Sequence, residues 1–154
     1  MAGIFLDTNV LVLFIVGNVS SSRLGKGRLR DFDSVDLENL NALVSAATKH
    51  FSTPNVLTEA SNLIGSGKQT MSPFSSEAMR QYISELDEIF LPSANITQTR
   101  EYYRFGLADA SIAEIARSQK ARVITVDSEL FGYLSTTGLN VVNLRHQRTP
   151  RRPR

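Results

Sequence analysis

The sequence predicts an α/β domain built on a mainly parallel sheet. Two apolar runs, residues 3–6 and 121–126, each end at an aspartate, and segments of helical periodicity separate the strand-like runs. The length of 154 residues suits one domain with a normal core.

The elements follow in order. "GIFL" (3–6) is a buried strand ending at Asp7. Residues 9–16 are apolar on every side, so periodicity does not separate a buried helix from a second strand. "GNVSSSRLGKGR" is a loop by its Gly, Ser and charge content. "DLENLNALVSAATK" carries a helical stripe of Leu37, Leu40, Leu43, Val44 and Ala47. After a short strand at residues 50–52, Thr53 as N-cap and Pro54 at the first position open a helix that Gly65-Ser66-Gly67 ends. Residues 72–90 read as an amphipathic helix with Met79, Ile83, Leu86 and Phe90 on one side, and "LPSANI" as a short strand or loop. "TQTREYYRFG" is a helix closed by Gly106, and "LADASIAEIARSQ" is another. "ARVITVD" is the clearest strand, β-branched and ending at Asp127. A short helix, "SELFGYLSTTG", and a last strand, "LNVVNL", complete residues 1–144 as a single domain. Residues 145–154 lack material for a core and read as a disordered basic tail.

Composition narrows the chemistry. At 42% hydrophobic and 21% charged residues the chain reads as soluble and globular. Cysteine is absent, which removes disulfides and thiolate metal sites. His50 and His146 have no ligand-like spacing, so oxygen donors dominate and Mg²⁺ or Mn²⁺ is favoured over zinc. No secretion signal is evident and residues 9–16 are too short to span a bilayer; a cytoplasmic protein without membrane contact is expected. The net charge of +2 is unevenly placed. Arg23, Lys26, Arg28 and Arg30 lie in the 17–37 stretch, and Arg145, Arg148, Arg151, Arg152 and Arg154 in the tail; setting these nine aside leaves a body of −7. Such flaps are either solvated surface or a grip for a phosphate backbone.

In a parallel sheet, ligands bind beyond the carboxyl ends of the strands. Asp7 and Asp127 both occupy such ends, each before a helix. Glu59 borders the buried stripe Val56, Ala60, Leu63 and Ile64, and Asp109 opens "DASIAEIA". Each has an ordinary reading as well: N-cap for the aspartates, surface carboxylate for Glu59. Together they share another. Carboxylates converging on one pocket repel and need a divalent cation to stay ionised together, and such an ion suits phosphodiester hydrolysis.

"FLDTNVLV", "VLTEASNL", "LADASIAEIA" and "VITVDSEL" resemble, in order, the acidic motifs of PIN-domain ribonucleases, most of all the small VapC-like toxins of toxin–antitoxin pairs. The resemblance implies a three-layer α/β/α fold with a five-stranded, mainly parallel sheet. It assigns Asp7, Glu59, Asp109 and Asp127 as the catalytic acids holding Mg²⁺ or Mn²⁺, and Thr8, Asn9 and Thr125 as their polar support. It implies cleavage of single-stranded RNA, a homodimer, and a silencing antitoxin partner. The stretch between Asp7 and Glu59 is longer than in compact toxins, and the Arg-rich tail is additional. A PIN nuclease of RNA processing without an antitoxin, and a non-catalytic RNA- or protein-binding module, are the alternatives. An aspartate-nucleophile phosphotransferase wants a second Asp where this chain has Asn9.

Overall fold

The opening apolar run forms a buried strand, β1 (Ile4–Leu6), and one residue later the helix α1 (Thr8–Val19) begins. The computed structural model describes residues 3–65 and 72–147. It resolves the ambiguity of residues 9–16 in favour of helix. Asp7 caps the first turn, and Val10, Leu11, Val12, Leu13, Ile15 and Val16 are all buried, as in a helix enclosed on every side.

Beyond α1, two single 3-10 turns (Ser21–Arg23 and Gly27–Leu29) lead to α2 (Ser34–Ala46). Buried Leu29 and Phe32 tie this basic stretch to the core. Asp33 and Asp36 cap α2 reciprocally, each side chain accepting from the other's backbone N–H. Next come β2 (His50–Ser52), α3 (Pro54–Ile64, capped by Thr53), α4 (Pro73–Glu85), β3 (Asp87–Glu88) and α5 (Ser93–Ile96). The chain ends through α6 (Arg100–Gln119), β4 (Arg122–Thr125), α7 (Ser128–Thr136), β5 (Val141–Asn143) and a 3-10 turn, Leu144–Gln147.

The five strands form one sheet in the order β3-β2-β1-β4-β5, with every pairing parallel. From β1 the chain first steps one way, to β2 and β3, and then crosses to β4 and β5 on the other side. Right-handed crossovers place the helices of these two excursions on opposite faces, giving the layers of an α/β/α sandwich. The sheet order also makes β1 and β4 neighbours, with Leu6 in register with Ile124, so Asp7 and Asp127 leave the same edge side by side.

Three local expectations change. The helix expected over 72–90 stops at Glu85, because Asp87 and Glu88 pair with Phe51 and Ser52 as an edge strand. Phe90, expected on its apolar stripe, is 73% exposed. "LPSANI" contains the helical turn α5 rather than a strand. Residues 145–147, expected in the tail, belong to the final 3-10 turn, where Asn39 donates to the Gln147 carbonyl. Residues 148–154 of the tail and residues 66–67 of the expected α3 stop lie outside the described residues.

The break expected at Gly106 is present inside α6, where φ is 84° and ψ is −176°. It reverses the chain: Glu101 and Arg117 form an ion pair although sixteen residues separate them. A straight helix would hold their backbones ~24 Å apart. Only glycine adopts this backbone without strain. Among the described residues, no helix is long and apolar enough to cross a membrane.

Candidate active site

Asp7 sits where β1 stops and is 6% exposed. Two donors fix its carboxylate: the Thr8 backbone N–H reaches Oδ1 at 2.7 Å, and the Thr125 hydroxyl reaches Oδ2 at 2.6 Å. The same Thr125 oxygen accepts the Asp127 backbone N–H at 3.0 Å. One buried threonine on β4 therefore sets two acids at once. Asp127 is exposed and caps α7, its Oδ1 accepting from the N–H groups of Glu129 and Leu130. The capping readings of Asp7 and Asp127 are thus correct, and both acids still keep oxygen lone pairs free.

Asp109 lies on α6 three residues past the Gly106 reversal and is half-buried. Glu59 projects from α3 across a cleft of about 690 Å³ that both residues line. Glu59 is exposed, further out than a stripe-border position suggests. A buried polar bridge joins the two helices: Thr53 Oγ1 and Ser111 Oγ are 2.9 Å apart, and Ser111 donates to the Ala108 carbonyl at 2.6 Å. Thr53 is legible in the sequence as a cap, whereas its partner was not. The only signal for Ser111 is a small polar residue two places after Asp109 on an otherwise apolar helix face.

The electrostatics tie these acids together. Burial raises the pKa of Asp7, the Thr125 and Thr8 hydrogen bonds oppose this, and Asp127 and Glu59 push it up further. Asp109 is pushed from 3.8 to about 7, by burial first and then by Asp7, Asp127 and Glu59. Among the described residues, no three acidic or histidine side chains close to direct ligand spacing. The charges of Asp127 and Glu59 act on both Asp7 and Asp109 without direct contact. The Thr8 hydroxyl beside Asp7 is buried without a hydrogen-bond partner. Asn9 is exposed and lines a neighbouring groove.

That groove has a volume of about 890 Å³. It brings together Arg23, Lys26, Arg28 and Arg30 with Arg145, which lies over the Phe32 ring at 5.7 Å. Asn9 and Val126 line it too. Arg148, Arg151 and Arg152 lie outside the described residues. His50 starts β2, at the opposite sheet edge, with its ring edge-on to Tyr82, so no histidine joins the acids from there.

Neither the protein-family models nor the curated proteins contain a match to this chain.

Proposed function

We propose that this chain is a metal-dependent endoribonuclease of the PIN type, cutting single-stranded RNA at the acidic edge of the sheet. The observation that carries this reading is the gathering of four carboxylates near the carboxyl ends of neighbouring parallel strands, where burial and then the charges of Asp7, Asp127 and Glu59 push Asp109 to about 7. A chain that gathers such charge without a cationic side chain among it favours a bound cation.

The residues fit Mg²⁺ or Mn²⁺. Their donors are all oxygens, Asp7 is held rigidly by two hydrogen bonds, and the Thr8 hydroxyl beside it lacks a partner. Carboxylates set apart from direct contact suit an ion that keeps several waters. Asp7, Glu59, Asp109 and Asp127 would hold it, and when bound it supplies Lewis-acid catalysis of phosphodiester hydrolysis. Thr125 orients Asp7 and Asp127, and the Thr53–Ser111 bridge fixes α6 against α3 so that Asp109 and Glu59 face one cleft. Without a cation, Asp109 keeps its proton up to about pH 7.

The basic groove favours a nucleic acid substrate over a small phosphate ester, because several cations in a row suit a polyanion. A toxin restrained by an antitoxin is our preferred cellular role, with a homodimer as its form; an RNA-processing nuclease without an antitoxin is the second. The test is incubation of the purified protein with a panel of RNAs and Mg²⁺ or Mn²⁺. Metal-dependent cleavage absent from Asp7→Asn supports the reading, and full activity in that variant overturns it.

A further inference from the structure

The cleft between α3 and α6 differs in kind from the basic groove. Its lining contains no Lys or Arg. Asn55, Thr58 and Asn62 recur at helical spacing on α3, on the same side as Glu59, and no other described residue hydrogen-bonds to their side chains. Opposite them stands Phe105, one residue before the Gly106 reversal. The Arg104 guanidinium lies over one face of its ring, 5.0 Å from the centroid, and Tyr133 packs against it in a T-shaped arrangement at 5.3 Å. Glu59 and Asp109 line the same cleft.

Free amides and a hydroxyl facing an immobilised aromatic ring suit a neutral, flat, polar-edged group. Phosphates suit the neighbouring groove with its row of cations instead. Single-stranded RNA carries both kinds of group, and its unstacked bases are bound by aromatic stacking and by hydrogen bonds to their edges. We propose that the α3–α6 cleft is a nucleobase subsite: Phe105 stacks on the base beside the scissile phosphate, while Asn55, Thr58 and Asn62 hydrogen-bond to its edge. The protein then cuts with a base preference set by this cleft. This rests on the ribonuclease reading above.

Two measurements test it, and one of them needs no cleavage. In the first, Asp7→Asn protein is titrated with a short single-stranded RNA carrying one 2-aminopurine. Quenching of that base is expected on binding, and its loss when Phe105→Leu is added. Equal quenching with and without Phe105, in proteins of matching circular dichroism, overturns the proposal. In the second, cut sites on a randomised RNA are mapped for the wild type and for Asn55→Ala/Asn62→Ala. The wild-type preference at the position beside the cut should flatten by about tenfold. An unchanged preference overturns the subsite. A wild type that cuts no RNA overturns the ribonuclease reading and leaves the quenching result to decide the cleft.

Discussion

Glu101 and Asp7 are both buried carboxylates, and their surroundings are opposite. Glu101, on the first turn of α6, is 2% exposed and is met by Arg117 from the far side of the Gly106 reversal. Asp7, at the end of β1, is 6% exposed and is met only by neutral donors, with three other acids nearby. Glu101 is what a structural carboxylate looks like: the chain supplies its counter-charge and spends a helix reversal bringing it there. Asp7 is held as firmly and left unneutralised. Burial alone does not separate the two residues; the presence or absence of a cationic side chain does.

The sharpest break of this comparison is a pair of isosteric substitutions. Asp7→Asn nearly keeps the shape while removing the charge: its oxygen can still accept from the Thr8 N–H, and its amide nitrogen donates to the Thr125 hydroxyl oxygen instead of accepting from it. RNA cleavage should fall on the order of 10³-fold or more, with thermal stability kept. Glu101→Gln removes the charge that Arg117 answers. Stability should fall by about 1–2 kcal/mol, a modest cost because Arg117 remains half-exposed and also pairs with Glu114, and cleavage should persist. Thermal melts and initial cleavage rates on both variants are the measurements. If Glu101→Gln lost cleavage as Asp7→Asn does, the division into structural and functional carboxylates would be wrong.

The missing counter-charge can also be supplied from outside. Chelation by EDTA should stop cleavage, and Mn²⁺ or Mg²⁺ should restore it. The same ions should raise the melting temperature of the wild type but not of Asp7→Asn. Cleavage that persists in EDTA would remove the metal from the reading altogether.

A third effect is smaller and concerns pH. The Asp109 pKa is raised in the folded protein, to about 7 from 3.8, so the folded state holds a proton that the unfolded chain releases. Its contribution to stability is complete below about pH 4 and is lost as pH rises through about 7. Metal-free wild type should therefore lose melting temperature across that window, and Asp109→Asn should flatten the loss. With Mg²⁺ or Mn²⁺ bound the slope should shrink, because the ion favours the ionised carboxylate.

Much of this arrangement is legible in the sequence. Asp7 and Asp127 stand out because each interrupts apolar residues at a strand end, and local patterning places strand ends well. The Gly106 break is equally readable, since a single glycine between two helical stripes has few other uses. What is not legible is what neutralises what. Nothing in the spacing of Glu101 and Arg117 announces a pair, because their contact is made by the reversal and not by helical periodicity. The bridge from Thr53 to Ser111 likewise joins residues 58 apart in the chain. The edge strand Asp87–Glu88 escapes for another reason: two acidic residues have little strand preference, and only pairing to β2 makes them one. The basic stretch reads as a loop, yet Leu29 and Phe32 anchor it so that its cations share a groove with Arg145.

That groove supplies the smallest and last test, which asks whose charge its cations answer. They could serve Asp7 as Arg117 serves Glu101. The groove residues nearest to Asp7 and Asp127 in sequence are Asn9 and Val126, however, which are uncharged, and among the described residues none of Arg23, Lys26, Arg30 and Arg145 hydrogen-bonds or ion-pairs with either acid. The cations are therefore expected to answer RNA. Arg23→Ala/Lys26→Ala should weaken RNA binding severalfold and lower the slope of log affinity against log salt by about 1.4. The Mn²⁺ concentration needed for half-maximal cleavage should not change. Truncation after Gln147, which removes Arg148, Arg151, Arg152 and Arg154, should act in the same direction. A shifted Mn²⁺ requirement with an unchanged salt slope would mean that the groove neutralises the acids, and the contrast between Asp7 and Glu101 would dissolve.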